Sequence, residues 1–158
     1  MQFFIEEMNG KAAKEILQWK YEPPYDFYNN EPSRESMAEL LDGKYRIVLE
    51  DENRLFGFFC TGDSAQVPAG RSVGAYPKNY IDFGLGMDPS KTGQGKGADF
   101  LSFVIEQIEK SHPGIPLRLT VAAFNKRAIR LYGKFGFQEE ERFNNGVTKF
   151  ITMVRVNR

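Results

Sequence analysis

At 158 residues, with 21 Lys and Arg against 21 Asp and Glu, the chain is long enough to bury one sizeable core, and a single domain over residues 1–158 is expected. The balanced charge excludes a global basic field that would draw in nucleic acid or anionic lipid, so neither is expected as a partner. The one cysteine, Cys60, excludes an internal disulfide and a thiolate zinc site, and its apolar neighbours read it as a buried structural thiol.

The start, Met1-Gln-Phe-Phe-Ile-Glu-Glu7, has no basic region followed by an apolar one, and no apolar run approaches the ~20 residues of a membrane span. A soluble, cytoplasmic protein is expected. Residues 2–7 read as a short strand, and 10–20 as a helix with Ala13, Ile16, Leu17 and Lys20 near one face. Pro24 and Pro32 then break the pattern, because proline lacks an N–H and restricts the residue before it. The aromatic loop from Tyr21 to Pro32 must therefore cover something.

A second short helix is expected at 33–42, followed by a hairpin of Tyr45–Glu50 and Arg54–Cys60 across residues 51–53. Residues 62–78 are polar and punctuated by Gly and Pro. The strand expected at 79–87 puts Ile81, Phe83, Leu85 and Met87 on one face and Asp82, Gly84 and Gly86 on the other, where two positions without side chains make a slot.

That strand empties into Gly84-Leu-Gly-Met-Asp-Pro-Ser-Lys-Thr-Gly-Gln-Gly-Lys-Gly-Ala98, which opens a helix over 94–110. Gly93, Gly95 and Gly97 can take φ > 0, and the N–H groups and dipole of the new helix favour an anion, naturally a phosphate or pyrophosphate. Neither GxGxxG nor GxxxxGK[ST] fits the run, so a dinucleotide-binding dehydrogenase and a P-loop NTPase are unsupported. Pro113 to Pro116 end the helix before a strand at 117–123, completing a βαβ unit. Asn125 can cap the next helix, whose Ala128, Leu131, Tyr132 and Phe135 keep helical spacing up to Gly136 as a left-handed C-cap. Strands near 137–143 and 147–156 pair across Asn144-Asn-Gly146.

The stretch Met87-Asp-Pro-x-x-Thr-Gly-Gln-Gly-Lys-Gly-Ala98 resembles the acyl-CoA loop of the GNAT superfamily of N-acyltransferases, with Thr92 where Arg or Gln is usual. A second stretch, Leu119-x-Val121, Asn125-x-x-Ala128 and Leu131-Tyr132-x-x-Phe135-Gly136-Phe137, matches as well, and the order of elements is that of the family. The resemblance implies an α+β fold, with a central mixed seven-stranded sheet, splayed parallel strands and about four flanking helices. It implies transfer of an acetyl group from acetyl-CoA to a primary amine of a small molecule or protein, by direct attack in a ternary complex, with CoA as product. Backbone groups from Leu85 to Met87 would hold the pantetheine and the acyl carbonyl. Thr92, Gly93, Gln94, Gly95, Lys96, Gly97 and Ala98 would hold the pyrophosphate, with the Thr92 hydroxyl and Lys91 or Lys96 compensating for the missing longer donor. Asn125 would bind the pantetheine region, and Tyr132 would sit near the sulfur.

A phenol of pKa about 10 and a thiol of about 8.5 are close enough for Tyr132 to protonate the leaving thiolate; its alternative is core packing with a buried hydroxyl. Asp82 is a water-relay or amine-orienting candidate, since an ordinary Asp near 3.9 is about six units too acidic to deprotonate an alkylammonium alone. His112, the only histidine, reads as a solvated helix end, which removes a Ser-His-Asp triad and a His-rich metal site. Lys126, Arg127, Arg130 and Lys134 are either a wet helix face or contacts to the adenosine phosphates. Glu22, Tyr25 and Tyr28, with the segment Tyr76 to Tyr80, are expected either to wall the acceptor by charge and ring face or to lid the core beside Trp19. A monomer or homodimer is expected, the last hairpin offering strand edges. The rival readings are a catalytically silent CoA-binding module, suggested by Thr92 and the uncertain base, and a nucleotide-binding protein using the same cradle.

Overall fold

Among the described residues seven strands and five α-helices form, and hydrogen-bonded strand neighbours run β1-β2-β3-β4-β5-β7-β6. The computed structural model describes residues 2–77 and 79–155. In chain order these are β1 (Phe4–Glu7), α1 (Gly10–Leu17), α2 (Arg34–Leu40), β2 (Tyr45–Glu50), β3 (Arg54–Thr61), α3 (Pro68–Ser72), β4 (Ile81–Met87), α4 (Gly97–Ser111), β5 (Leu117–Ala122), α5 (Lys126–Lys134), β6 (Gln138–Asn144) and β7 (Lys149–Arg155). The expected mixed sheet is present. Val156, at the end of the expected last strand, and Lys78, within the expected acceptor wall, lie outside the described residues.

The fifth helix is α3, in the stretch expected to be irregular. Pro68 occupies its first turn, where a preset φ helps and the missing N–H would have had no helical partner. The Gly and Pro content that argued against structure thus marks a helix start. In α1 the reverse happens: the helix stops at Leu17, where the Gln18 amide bonds back to the Glu15 carbonyl and the Trp19 amide to the Ile16 carbonyl, both tighter than the helical pattern. Lys20 lies beyond it and is exposed, while Trp19 is buried. Among the described residues no helix is long and apolar enough to cross a membrane.

Two compact units share the chain: one is everything up to Cys60 plus Leu85–Phe103, the other Thr61–Gly84 plus everything from Val104. In the first unit β1, β2 and β3 pair antiparallel, from Phe4 opposite Leu49 to Tyr45 opposite Cys60. The hairpin turns at Asn53, whose φ of 59° is tolerated by Asn more readily than by most side chains. Its aromatic core packs Phe3 against Phe56, at 4.8 Å between ring centroids, and Phe56 against Phe100, at 5.3 Å, both pairs tilted. Cys60 is buried there, as read from its neighbours.

In the second unit β5 and β7 pair along their length, and β6 closes the edge against β7. Parallel pairing of β4 with β5 is confined to Ile81 opposite Leu117 and Asp82 opposite Arg118. Ala75, Ala122, Phe143 and Phe150 form an apolar cluster on one face, with Val67, Ala69 and Tyr76 packed on it. Leu117, Leu119 and Val121 alternate with that face and are buried as well.

Candidate active site

The glycine turn is built by short-range bonding in the first unit. Asp88 Oδ1 accepts from the Ser90 amide and hydroxyl, both at 2.8 Å, a local turn that Asp favours. The Thr92 hydroxyl donates to the Pro89 carbonyl at 2.8 Å, and the Gln94 amide to the Ser90 carbonyl at 3.0 Å. Gly93 and Gly95 both take φ of 74°, which a side chain would strain. A Cβ at either would meet nothing within 4 Å, so the turn presents bare backbone to open space. Gly97 does not share the positive φ; it is the first residue of α4. The first intrahelical bond runs from the Phe100 amide to the Lys96 carbonyl, so the amides before it are available to an anion.

Of the two lysines expected to compensate for Thr92, Lys91 is engaged elsewhere. Its Nζ lies 2.7 Å from Glu50 Oε2, on a side chain only 4% exposed. Lys96, half-buried, has no such ion pair among the described residues. Sequence reasoning missed Glu50, although an acid directly after the apolar run Ile47-Val-Leu49 is itself a sign of a buried partner.

The slot expected along β4 is not open at Gly86. A Cβ there would fall 2.4 Å from Phe58 Cε2, so the missing side chain admits the Phe58 ring rather than leaving room for a ligand. That ring also packs against Trp19 and Tyr45. At the strand end, the Tyr21 hydroxyl donates to the Met87 carbonyl at 2.8 Å. Burial, and then the Asp88 charge, pushes the Tyr21 phenol well above its usual value, which keeps it a donor.

Asp82, expected on the slot face as a water-relay or amine-orienting residue, is buried in an ion pair. It is 5% exposed, and its oxygens accept from Arg118 Nε at 2.6 Å, Arg118 Nη2 at 2.7 Å and Gln66 Nε2 at 2.9 Å. The bidentate fork and the Gln66 amide fix the orientation of this carboxylate toward β5 and occupy both of its oxygens. Arg118, a cation inside the apolar run Leu117-Arg-Leu-Thr-Val121, signalled this buried pair in the sequence and went unused. Gln66 in turn accepts from Arg71 Nε at 2.8 Å. The Arg118 guanidinium lies 5.1 Å from the Tyr76 ring centroid and 4.8 Å from that of Tyr80, a cation–π arrangement. Beside this network is a cavity of about 710 Å³ whose wall includes Asp63, Gln66, Arg71, Tyr80, His112 and Arg118. His112, expected to be solvated, is thus half-buried at a cavity wall.

Asn125 caps α5, its side chain accepting from the Ala128 amide at 3.1 Å. Tyr132 is half-buried in α5, with its ring edge-on to Phe137 at 6.2 Å. Lys126, Arg127, Arg130 and Lys134 are exposed. Of the four expected acceptor residues, Glu22, Tyr25 and Tyr28 belong to the first unit and Tyr80 to the second. Glu22 and Tyr28 are exposed, Tyr25 is half-buried, and the Tyr80 hydroxyl donates to Glu140 at 3.2 Å.

Residues 12–137 match the model of the acetyltransferase (GNAT) family. No curated protein matches the chain. Among solved structures, a spermidine N-acetyltransferase SpeG chimera from Vibrio cholerae and hSSAT is 19% identical with a TM-score of 0.69, over 99% of this chain and 96% of that one. A GNAT-family acetyltransferase from Bacillus anthracis is 12% identical with a TM-score of 0.73, over 99% and 95%. The ribosomal-protein-S18-alanine N-acetyltransferase from Escherichia coli is 21% identical with a TM-score of 0.66, over 98% and 94%. At these identities the likeness is one of fold.

Proposed function

The chain belongs to the acetyltransferase (GNAT) family and is an acyltransferase, and on that premise we propose that it transfers an acetyl group from acetyl-CoA to a primary amine within a ternary complex. The observation that carries the proposal is the turn at Gly93 and Gly95, both at φ 74° with open space where a Cβ would stand, directly ahead of α4. Bare amides at a helix start suit a diphosphate in shape and charge, so the residues present fit this cofactor.

Thr92 to Ala98 would hold the diphosphate, with Lys96 as the nearby cation. The Met87 carbonyl already accepts from Tyr21, so the contact assigned to Met87 is its N–H, and Leu85 contributes its backbone likewise. A backbone N–H aimed at the acyl carbonyl would stabilise the charge that develops on its oxygen. Acetyl-CoA would supply the thioester, so that transfer would form a C–N bond and break the C–S bond, and of the two protons the ammonium must lose one would go to sulfur and one to water. Tyr132 is assigned the first of these transfers, and Asn125 the pantetheine region. Asp82 serves to position β4 against β5 through Arg118 and is not assigned as base.

Calorimetric titration with CoA and thiol release from acetyl-CoA over an amine panel test the proposal. Tyr132→Phe should lower kcat by about 10²–10⁴ while leaving CoA affinity unchanged. Absence of heat with CoA overturns the proposal, and full turnover by the variant removes Tyr132. The engagement of both Asp82 oxygens by Arg118 and Gln66 favours one second reading, a silent CoA-binding module, which tight CoA binding without transfer to any amine would select.

A further inference from the structure

We infer that the acceptor is a primary amine that also carries a carboxylate, held in the cavity of the second unit; the inference rests on the transferase reading above. Charge bookkeeping within the cavity wall points this way. Arg118 and Asp82 neutralise each other through two hydrogen bonds, and Gln66 spends its N–H on Asp82 and its carbonyl on Arg71. Arg71 is left as the net cation of this network, fixed by bonds to Gln66 and to the Asp63 carbonyl, the latter at 2.8 Å. Arg118 Nη1 is buried and has no hydrogen-bond partner among the described residues, although a charged donor is costly to leave unsatisfied.

The wall therefore keeps one uncommitted guanidinium nitrogen on each arginine, Nη1 of Arg71 and Nη1 of Arg118, since Nε and Nη2 of both are already bonded. A carboxylate, an acceptor with two oxygens and a full charge, is the group such a pair of cationic donors recognises best. Asp63, on the same cavity, supplies the opposite charge for the ammonium end. The half-buried Tyr80 ring and Ile81 line the same cavity and suit the carbon skeleton of a small zwitterion. A polyamine, by contrast, would bring a second cation against Arg71.

Acetyl transfer measured on matched pairs, lysine against cadaverine and phenylalanine against phenethylamine, tests the inference. Within each pair the carboxylated amine should have a kcat/KM about tenfold or more higher, carried by KM. Arg71→Ala, at an exposed position, should erase the preference by raising KM for the carboxylated member alone. Equal efficiencies, or a preference that survives Arg71→Ala, overturn the inference. If every amine is silent the transferase reading falls, and calorimetry with N-acetyllysine and N-acetylcadaverine then decides the cavity by itself. The same gap and the same Arg71 dependence are expected; equal binding or none overturns it.

Discussion

The Tyr21 hydroxyl donates to the Met87 carbonyl across 2.8 Å, tying the loop after α1 to the end of the strand that leads into the glycine turn. Two groups 66 positions apart are held by one hydrogen bond in a largely buried setting.

This bond has a pH signature. Burial, then Asp88, raises the Tyr21 phenol above its ordinary 10.0, and burial, then Cys60, raises Tyr45 in the same direction. A raised phenol contributes stability that is fully present below pH 10 and is lost as pH climbs through the folded value. Urea unfolding between pH 8 and 11 should show stability falling above pH 10, by up to about 1.4 kcal/mol per pH unit for each tyrosine. Tyr21→Phe should lower stability at pH 8 by about 1 kcal/mol and make the alkaline slope shallower. An unchanged slope would argue against the buried phenol.

Gly86→Ala should destabilise the protein by about 1–3 kcal/mol through overpacking, because its Cβ falls 2.4 Å from Phe58 Cε2. Phe58→Leu in the same chain should restore part of the loss. Thermal denaturation of the two variants checks this, and a neutral Gly86→Ala would mean that Phe58 has room to move.

The ion pair of Lys91 with Glu50 leaves Lys96 as the loop lysine without an ion pair among the described residues. Lys91→Met strands a buried carboxylate, and because Lys91 is 22% exposed the cost should be about 2 kcal/mol, below the usual range for buried pairs. Adding Glu50→Gln should recover most of it. CoA titration should rank Lys96→Met as the weaker binder of CoA than Lys91→Met, and the opposite order would return Lys91 to the phosphate site.

Asn125 invites a separation of two roles. Asn125→Asp keeps a good helix cap, so stability should stay within a few tenths of a kcal/mol, whereas Asn125→Ala should cost about 1 kcal/mol. If the side-chain amide binds the cofactor, both variants should weaken CoA binding in calorimetry. Undiminished affinity in Asn125→Asp would leave the residue a cap alone.

The βαβ unit, the last hairpin and the Asn125 cap were readable because each depends on residues a few positions apart. The β2–β3 hairpin was placed to within one residue, Arg54–Cys60 being expected where the strand runs Arg54–Thr61. The stretch at 62–78 was misread because Pro68 both breaks patterns and begins helices, and α1 was overextended because Lys20 keeps the spacing of a helix that has already ended. Arg118 and Glu50 were visible as charges in apolar strands, yet nothing local says which partner neutralises them.

By itself the sequence determined where the chain turns, which strands alternate and that Gly93 and Gly95 open a helix, since backbone preference and hydrophobic period act over a few residues. Only the tertiary structure decided that Phe58 fills the place beside Gly86, that Lys91 serves Glu50 and that Arg118 claims Asp82 from 36 positions away. Burial makes an unpaired charge or an empty gap expensive, so each such group is settled by whichever distant partner the fold brings within reach.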